Sequence, residues 1–306
     1  QRMGLFYSFF KSILKMRIAL FGTQFNSSKA KYVQHLVNKL EQENIKLIIE
    51  NQFYDNLVDI NFKREFETFE TPQELKEKAD ILLSIGGDGT LLGAITFVQD
   101  SDIPILGINT GTLGFISSVS TDQIEYAINH LLKGEYKIKQ RTLLQLESEN
   151  NLFGDTNFAL NEVTILKKDT SSMIRIHAYL DDEFINIYWA DGLIISSPTG
   201  STGYSLSCGG PIVLPGTNNF IITPIAPHNL NVRPIIVSDE SKITLKVSER
   251  DELALVALDS RSRAIGPELE LSIRKADYKV KLIQFEKQSF ISTIREKLMW
   301  GKDKRN

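Results

Sequence analysis

Residues 86–90, with the sequence GGDGT, place Asp88 among three glycines directly after the apolar run 81–85. Glycines let the backbone approach phosphate groups, and the free N–H groups at the start of a helix attract anions. A carboxylate beside a bound phosphate is repelled unless it binds a metal ion or accepts a proton from a hydroxyl nucleophile, as phosphoryl transfer requires. The segment therefore favours phosphoryl transfer, with a tight turn in which Asp88 caps a helix as the alternative.

Two common nucleotide-binding patterns are absent from the sequence. Residues 21–26, FGTQFN, follow the first apolar run without the G-x-G-x-x-G spacing of dinucleotide-binding folds. No G-x-x-x-x-G-K-[ST] sequence is present either. A standard Rossmann dehydrogenase and a P-loop kinase are therefore disfavoured.

Two shorter polar segments also follow or begin predicted strands. Residues 107–115 end in Phe115, whose ring is suited either to stack on a base or to pack in the core. In the pair Asn161 and Glu162, the amide can donate to ribose hydroxyls and the carboxylate can accept from them. Exposed strand polarity explains this dipeptide equally simply, so neither segment decides the function by itself.

A long run of Gly, Ser and Thr follows the apolar strand predicted at 191–196 and contains Tyr204. Small hydroxyl side chains and accessible backbone N–H groups suit a polyhydroxylated ligand that carries phosphate. Cys208 lies among these small residues, and we expect it to pack as a small apolar side chain and not to act as a nucleophile.

Together these segments resemble the motifs of the NAD kinase family, in the same order along the chain. The resemblance covers about residues 17–300, and its motifs lie at 86–90, 109–115, 160–162, 191–212 and 223–234. It implies transfer of the γ-phosphate of ATP to the 2′-hydroxyl of the adenosine ribose of NAD, which gives NADP. It also implies a divalent cation, with Mg²⁺ as the expected ion, and a homodimer or homotetramer.

The resemblance further implies the roles of individual residues. Asp88 matches the family's proton acceptor, Asn161 and Glu162 match a dinucleotide-binding pair, and Phe115 matches the residue that lies against the adenine. The dinucleotide site implied in this way consists of Asp88, Gly89, Phe115, Asn161, Glu162, Trp189, Asp191, Thr202, Gly203, Tyr204, Ser205, Leu206, Ser207 and Ala226.

Three positions depart from the family's pattern. Gly203 stands where alanine is usual, a change that keeps the backbone contact. Trp189 stands where a basic residue is frequent, which puts a charge contact there in doubt. Residues 258–261, LDSR, stand where Asp-Gly-Gln is frequent, which puts in doubt the family's late ligand contact from a neighbouring subunit and leaves the role of Arg261 open.

The elements that position these segments fall into two patterns. Before about residue 140, apolar strands alternate with amphipathic helices, which predicts an α/β domain with a mostly parallel sheet. After it, nine short strand candidates follow one another with little helix, which predicts an all-β, sandwich-like domain. They lie at 142–148, 158–166, 173–180, 183–188, 191–196, 219–223, 242–247, 253–257 and 278–284.

The resulting domain organisation has four parts. Residues 1–15 are expected to be an extension outside the fold, followed by the α/β domain at 16–140 and the NAD-binding sandwich at 141–284. The C-terminal segment 285–306 is predicted to form a helix that packs on the first domain. Its apolar stripe consists of Phe290, Ile291, Ile294 and Leu298.

Composition excludes several other classes of protein. The 306-residue chain has 35 Lys and Arg against 38 Asp and Glu, so its net charge of −3 provides no basic field for nucleic acid. A single cysteine excludes an intrachain disulfide, four histidines make a metal cage improbable, and no apolar run reaches the roughly 20 residues that span a bilayer. We expect a cytoplasmic enzyme with small-molecule substrates.

Two other functions remain open on the sequence. Lipid and sugar kinases carry loops similar to GGDGT, although a lipid kinase would need an apolar cavity where this chain has a polar Gly/Ser/Thr run. A module that binds NAD or NADP without turnover is the non-enzymatic alternative. It is disfavoured because a pure binder gains little from a carboxylate near phosphates.

Overall fold

The computed structural model places most of the chain in two units. The residues described are 16–23, 27–59, 65–111, 114–117, 119–168, 172–248, 254–267, 269–286 and 289–300. The predicted extension at 1–15 lies outside these residues. Contacts group the described residues up to Gln140 and from Val280 onward into unit 1, and Arg141–Lys279 into unit 2.

The helices and strands of the first part of the chain alternate. The strands are β1 (Arg17–Gly22), β2 (Lys46–Glu50), β3 (Glu67–Phe69), β4 (Ile81–Gly86), β5 (Ile105–Asn109) and β6 (Val119–Ser120). The helices are α1 (Ser27–Gln42), α2 (Asn51–Asp59), α3 (Pro72–Lys78), α4 (Asp88–Val98) and α5 (Ile124–Leu132).

The remainder of the chain is mostly strand. The strands are β7 (Lys137–Glu147), β8 (Phe158–Ala159), β9 (Glu162–Lys167), β10 (Ile174–Leu180), β11 (Glu183–Ala190), β12 (Gly192–Ser196), β13 (Asn219–Ile225), β14 (Ile235–Ser238), β15 (Ile243–Val247), β16 (Ala254–Leu258), β17 (Arg261–Ile265) and β18 (Glu270–Gln284). The helices are the single turn α6 (Tyr204–Ser207) and α7 (Phe290–Lys297).

The sheet of unit 1 is parallel, as predicted. Its strand order is β3-β2-β1-β4-β5, and β6 and the end of β18 also run parallel to β5. All residues of β1 after Arg17 are buried, which is typical of strands covered on both faces. In the register of β4 and β5, Gly86 lies opposite Asn109. The GGDGT segment and the segment after Asn109 therefore leave the sheet at the same edge.

Two helices of unit 1 were not predicted. Helix α2 begins directly after β2, because the Glu50 carboxylate accepts the N–H groups of Gln52 and Phe53 at 3.1 and 2.8 Å. Helix α3 carries a recognisable start signal, since Thr71 caps it by accepting the N–H of Glu74 at 3.2 Å and Pro72 fills its first turn.

Residues 120–123, with the sequence STDQ, have the spacing of a capping box but do not form one. The Ser120 hydroxyl donates to the Asp122 carboxylate at 2.5 Å, and these residues form a 3₁₀ turn over Thr121–Gln123. Helix α5 begins only at Ile124 and has no side-chain cap. Its apolar residues at helical spacing are nevertheless buried, because packing stabilises an amphipathic helix more than capping does; they are Ile124, Ala127, Ile128, Leu131 and Leu132.

The C-terminal helix α7 belongs to unit 1, as predicted, but its apolar stripe is narrower than the sequence suggested. Ile294 is the one fully buried residue of the four, Phe290 and Leu298 are partly buried, and Ile291 is 54% exposed. The stripe therefore anchors the helix through Ile294, and the helix contributes less buried surface than four large side chains would.

Replacing Ile294 with alanine should lower the free energy of unfolding by about 2–5 kcal/mol, because it leaves a cavity under α7. The matched control Ile291→Ala removes the same atoms from an exposed position, and its effect should stay within about 0.5 kcal/mol. Urea denaturation followed by circular dichroism measures both. Equal effects of the two substitutions would contradict the placement of the helix.

Unit 2 consists of two antiparallel sheets, in agreement with the predicted sandwich. One sheet has the order β14-β13-β12-β9-β16-β17 and the other has the order β11-β10-β15-β18, with β7 paired to both β18 and β8. One core lies between them and includes Val163 and Leu193 from the first sheet and Ile176 and Leu245 from the second.

The sequence analysis missed β14, β17 and the first half of β18. The predicted strand 158–166 is interrupted, because Leu160 and Asn161 form a turn between β8 and β9. Within the described residues, no helix is long and apolar enough to cross a membrane.

Candidate functional site

In unit 1, Asp88 is the first residue of α4, and its carboxylate binds the backbone of the loop that follows β5. Oδ2 accepts the N–H of Phe115 at 2.7 Å and Oδ1 accepts the N–H of Ser117 at 2.9 Å. The N–H of Ile116 lies 3.3 Å from both oxygens. Three consecutive N–H groups therefore hold the carboxylate in one orientation. The sequence suggests a helix cap as the alternative role of Asp88, but these N–H groups belong to the loop after β5 and not to α4.

Gly114 is required for this arrangement. A Cβ atom at this position would lie 1.8 Å from Oδ1 of Asp88, so any other residue would displace the carboxylate. Gly89, by contrast, has open space where its Cβ would be. The two glycines therefore have different roles. Gly114, in the loop after β5, leaves space for the Asp88 carboxylate, while Gly89, next to Asp88 in the chain, leaves the backbone accessible at the start of α4.

In unit 2, Asn161 and Glu162 lie at the turn between β8 and β9, and their backbone is fixed by another acidic residue. Asp259 Oδ1 accepts the N–H groups of Asn161 and Glu162 at 2.8 and 3.1 Å, and its Oδ2 accepts that of Leu160 at 2.9 Å. On the other side, the Asn161 carbonyl accepts the N–H of Ser197 at 2.9 Å. The turn is therefore held from two directions.

The side chains of this pair carry buried oxygens that lack a partner. Among the described residues, Oδ1 of Asn161 and Oε2 of Glu162 are buried polar atoms without a hydrogen bond. A buried polar atom of this kind costs free energy unless a ligand satisfies it. This observation disfavours simple exposed strand polarity and favours a polar ligand at the pair.

The surroundings of Glu162 favour its protonated form. Burial raises the pKa of Glu162 to about 8, and the charge of Asp259 adds to this, while the N–H of Tyr204 acts in the opposite direction. Near pH 7 the carboxyl is therefore mostly neutral and can donate its proton. Glu162 as donor and Asn161 Oδ1 as acceptor together match the vicinal hydroxyls of a ribose, with the two roles the reverse of those expected from the sequence.

The glycines of the Gly/Ser/Thr run allow that run to approach the pair. A Cβ at Gly200 would lie 2.1 Å from the carbonyl oxygen of Asn161. A Cβ at Gly203 would lie 2.9 Å from Oε2 of Glu162. The run therefore packs against Asn161 and Glu162, and an alanine at position 203 would require the Glu162 side chain to shift.

Within this run, the predicted site residues differ in what their side chains do. Tyr204 is 40% exposed and available to a ligand. The buried Ser205 hydroxyl pairs with that of Thr223 at 2.8 Å, and the Thr202 hydroxyl donates to the Thr199 carbonyl at 3.3 Å. Leu206 is partly buried and Ser207 is exposed. Burial raises the pKa of the Cys208 thiol, which agrees with a packing role.

The other predicted residues of unit 2 lie along the ends of β11, β12 and β13. Asp191 forms an ion pair with Lys167 at 2.6 Å. Trp189 is 44% exposed and stacks on His228, with ring centroids 4.2 Å apart. Ala226 has a φ of 43°, a strained conformation for a residue with a side chain. Strain of this kind is often kept at ligand-binding sites.

Two residues that hold the backbone of Asn161 were not predicted from the sequence. Asp259 was seen only as part of a departure from the family's pattern, and Ser197 only as part of the Gly/Ser/Thr run. Asp259 is 98 residues from Asn161 in the chain, and no local pattern indicates that the two meet. Phe115, expected to face an adenine, is partly buried and contributes its N–H to Asp88.

Comparison with known proteins yields consistent similarities along the chain. The ATP-NAD kinase N-terminal domain matches residues 16–136, and the ATP-NAD kinase C-terminal domain matches residues 160–285. The NAD kinase of Cytophaga hutchinsonii is 48% identical over 95% of this chain and all of that protein. The NAD kinase of Flavobacterium johnsoniae is 45% identical over 95% of this chain and all of that protein.

Solved structures show the same fold. The crystal structure of yeast NADH kinase complexed with NADH has a TM-score of 0.84 at 22% identity and covers 94% of this chain and 89% of its own. The NAD kinase of Archaeoglobus fulgidus, in complex with ATP, has a TM-score of 0.70 at 26% identity and covers 93% of this chain and 99% of its own.

Proposed function

Because this chain belongs to the NAD kinase family, we propose that Asp88 and the pair Asn161 and Glu162 carry the family's reaction here. The enzyme transfers the γ-phosphate of ATP to the 2′-hydroxyl of the adenosine ribose of NAD, giving NADP and ADP. The lipid or sugar kinase and the non-catalytic module are disfavoured by full-length similarity to NAD kinases.

We assign ribose recognition to Asn161 and Glu162. The observation that carries this assignment is the pair of buried, unpartnered oxygens on adjacent side chains. A ribose hydroxyl would donate to Oδ1 of Asn161 and accept from the protonated Glu162, so that both oxygens would gain a partner. Tyr204 and the strained Ala226 are proposed as further contacts of the dinucleotide.

We assign the proton of the attacking hydroxyl to Asp88. The three backbone N–H groups make four contacts with the carboxylate, two on each oxygen, and the two from Ile116 are long at 3.3 Å. The attacking hydroxyl would replace one of these long contacts, while the N–H groups of Phe115 and Ser117 keep the carboxylate oriented as a proton acceptor in phosphoryl transfer requires. Gly89 is proposed to leave room for phosphate beside this carboxylate.

A divalent cation, with Mg²⁺ as the expected ion, is proposed to accompany ATP. Among the described residues, no group of three or more His, Cys, Asp and Glu side chains forms a metal cage. Mg²⁺ in enzymes of this kind is held largely by substrate phosphates and water, so the donor set present is compatible with an ion that arrives with the nucleotide. The bound ion would neutralise charge on the transferred phosphate.

We further propose a cytoplasmic homo-oligomer. The single cysteine agrees with a reducing compartment. The edge strand β11 exposes Phe184, Ile187 and Trp189, which are 52%, 38% and 44% exposed and would gain from burial against a second copy.

A coupled assay tests the proposed function. The protein is incubated with NAD, ATP and Mg²⁺, and the product is detected with a dehydrogenase that accepts only NADP. NADP formed in proportion to ADP supports the assignment. ADP release without NADP would indicate another acceptor, and NAD binding without ADP release would indicate a non-catalytic module.

Asn161→Ala should raise the dissociation constant for NAD about five- to tenfold, because one hydrogen bond to a ribose hydroxyl is worth about 1 kcal/mol. The Michaelis constant for ATP should change less than twofold, since the substitution removes no group assigned to ATP. Isothermal titration calorimetry and steady-state kinetics measure the two quantities. Asn150→Ala, at an exposed turn, is the control. An unchanged affinity for NAD would require the ribose contact to be reassigned.

A further inference from the structure

The turn between β16 and β17 carries an acidic residue whose backbone is held in an unusual conformation. Leu258 pairs with Arg261, so Asp259 and Ser260 form a two-residue turn. Asp259 has a φ of 52°, in the left-handed region, and its N–H donates to the Glu162 carbonyl at 3.0 Å. The turn therefore orients the Asp259 side chain toward the start of β9.

The carboxylate of Asp259 accepts three successive backbone N–H groups there. Those of Asn161 and Glu162 share Oδ1, and that of Leu160 binds Oδ2. Hydrogen bonds to a charged acceptor are stronger than those between neutral groups. One side chain thus fixes the backbone of three residues, and two of these carry the unpartnered oxygens assigned to ribose recognition.

Arg261 follows the same turn, and its side chain binds the segment just before Leu160. Its guanidinium donates to the carbonyls of Thr156 and Phe158, and it lies 5.4 Å from the centre of the Phe158 ring. Asp259 and Arg261 together fix the segment 156–162 through its carbonyls and its N–H groups. Residues 258–261, which depart from the family's pattern, therefore have a structural role, and this includes Arg261, whose role the sequence left open.

We propose that Asp259 is a positioning residue of the NAD site, which holds the backbone of Asn161 and Glu162 so that their side chains meet the ribose. It touches neither substrate nor reacting atoms, and it acts through the two residues that do. The proposal rests on the ribose assignment made above, which it deepens.

The charges around Asn161 and Glu162 provide a second way to test the role of Asp259. The charge of Asp259 raises the pKa of Glu162, after burial as the larger cause. Burial also raises the pKa of Asp259 itself, against its three N–H bonds and the nearby Arg261. Burial, and after it the charge of Glu162, raises the pKa of the Cys208 thiol. Removing the charge of Asp259 should therefore lower the pKa of Glu162, an effect that loss of packing alone would not produce.

The experiment compares the wild type with Asp259→Ala, Asp259→Asn and the exposed neighbour Ser260→Ala. Calorimetry gives the dissociation constant of NAD between pH 6 and 9.5, and kinetics give the Michaelis constants for NAD and ATP. Asp259→Ala should raise both NAD constants at least about tenfold, with the Michaelis constant for ATP within about twofold. Ser260→Ala should match the wild type.

Asp259→Asn separates geometry from charge and keeps the test valid if the alanine variant does not fold. Its amide oxygen can still accept the N–H groups of Asn161 and Glu162, while its NH₂ group replaces the oxygen that accepts the N–H of Leu160. Because Leu160 is not assigned to the ribose, the NAD constants should stay within about threefold of the wild type. Because the charge is lost, the midpoint of its NAD-affinity pH profile should move below the wild-type midpoint, which is expected near pH 8.

Three results would overturn the proposal: wild-type NAD constants in Asp259→Ala, equal loss of affinity for NAD and ATP, or an unmoved midpoint in Asp259→Asn. Failure of the underlying ribose assignment has a different signature. In that case Asn161→Ala would bind NAD as the wild type does, whatever the behaviour of the Asp259 variants.

Discussion

Asp88→Asn is expected to lower the turnover number by about 10²–10⁴-fold, the range typical of losing a general base. The asparagine amide has the size of the carboxylate but cannot accept the proton of the attacking hydroxyl. Its effect on NAD affinity should be far smaller, because the ribose contacts are assigned to Asn161 and Glu162. Single-turnover kinetics with saturating NAD and ATP measure the chemical step directly.

The structure adds a structural cost to this substitution. Asparagine keeps one acceptor oxygen and places an NH₂ group where the second oxygen accepts a backbone N–H, either that of Phe115 or that of Ser117. The loop after β5 should therefore loosen, at a cost of about 1–3 kcal/mol for the unsatisfied group. Thermal denaturation reports this cost separately from the loss of turnover.

Asp80→Asn is the matched control. Asp80 pairs with Arg17 at 2.7 Å at a partly exposed position. Burial opposes it, but the hydrogen bonds that the Arg17 side chain and backbone donate, together with the charge of Arg17, hold the pKa of Asp80 below its usual value. Losing this surface pair should leave the turnover number within about twofold, because exposed ion pairs contribute little. Turnover of Asp88→Asn within threefold of the wild type would remove Asp88 from the mechanism.

The sequence predicts the parts of the fold that depend on local periodicity. The continuous apolar runs of β4 and β5 indicate strands buried on both faces, and the apolar residues three or four apart in α5 indicate a helix with one buried face. Helix α2 carries the same signal, since Phe53 and Leu57 lie four residues apart and are both buried, but the stripe is short. The helix was missed because it follows β2 without a turn residue and begins at the Glu50 carboxylate. The stripe of α7 was overestimated, because periodicity shows which residues share a face but not how wide a surface covers them.

The sequence likewise indicates some residues of the candidate site and not others. Asp88, Asn161 and Glu162 were identifiable because chemically demanding residues stand beside glycines or in a motif of the family. Asp259 was not, because its contacts with residues 160–162 join positions nearly a hundred residues apart. The raised pKa of Glu162 was equally hidden, since burial and the charge of Asp259 exist only in the folded chain.

Glu162→Gln is expected to make the protein more stable than the wild type at alkaline pH. In the folded protein the pKa of Glu162 is about 8, against 4.5 for the unperturbed group. Below pH 4.5 both states hold the proton, and the contribution of this carboxyl is fully present. Between these values the unfolded chain loses the proton while the folded protein keeps it, so the free energy of unfolding falls as the pH rises.

The size of this effect follows from the shift. Each pH unit in this window removes about 1.4 kcal/mol, which gives a total on the order of 5 kcal/mol once the pH exceeds the folded pKa. Glutamine cannot ionise and has nearly the same shape as the protonated acid. The variant should therefore equal the wild type near pH 4 and exceed its free energy of unfolding by several kcal/mol near pH 9. Urea denaturation at a series of pH values measures the difference.

The same substitution tests the protonation state that binds NAD. If the neutral carboxyl donates to the ribose, the wild type loses NAD affinity above about pH 8, while Glu162→Gln keeps a nearly constant affinity. Glu149→Gln, at an exposed position, should follow the wild type in both experiments. A wild-type affinity that rises above pH 8 would show that the charged carboxylate is the binding form. Glu162 would then accept a hydrogen bond from the ribose, and NAD binding itself would have to offset the cost of ionising this buried group.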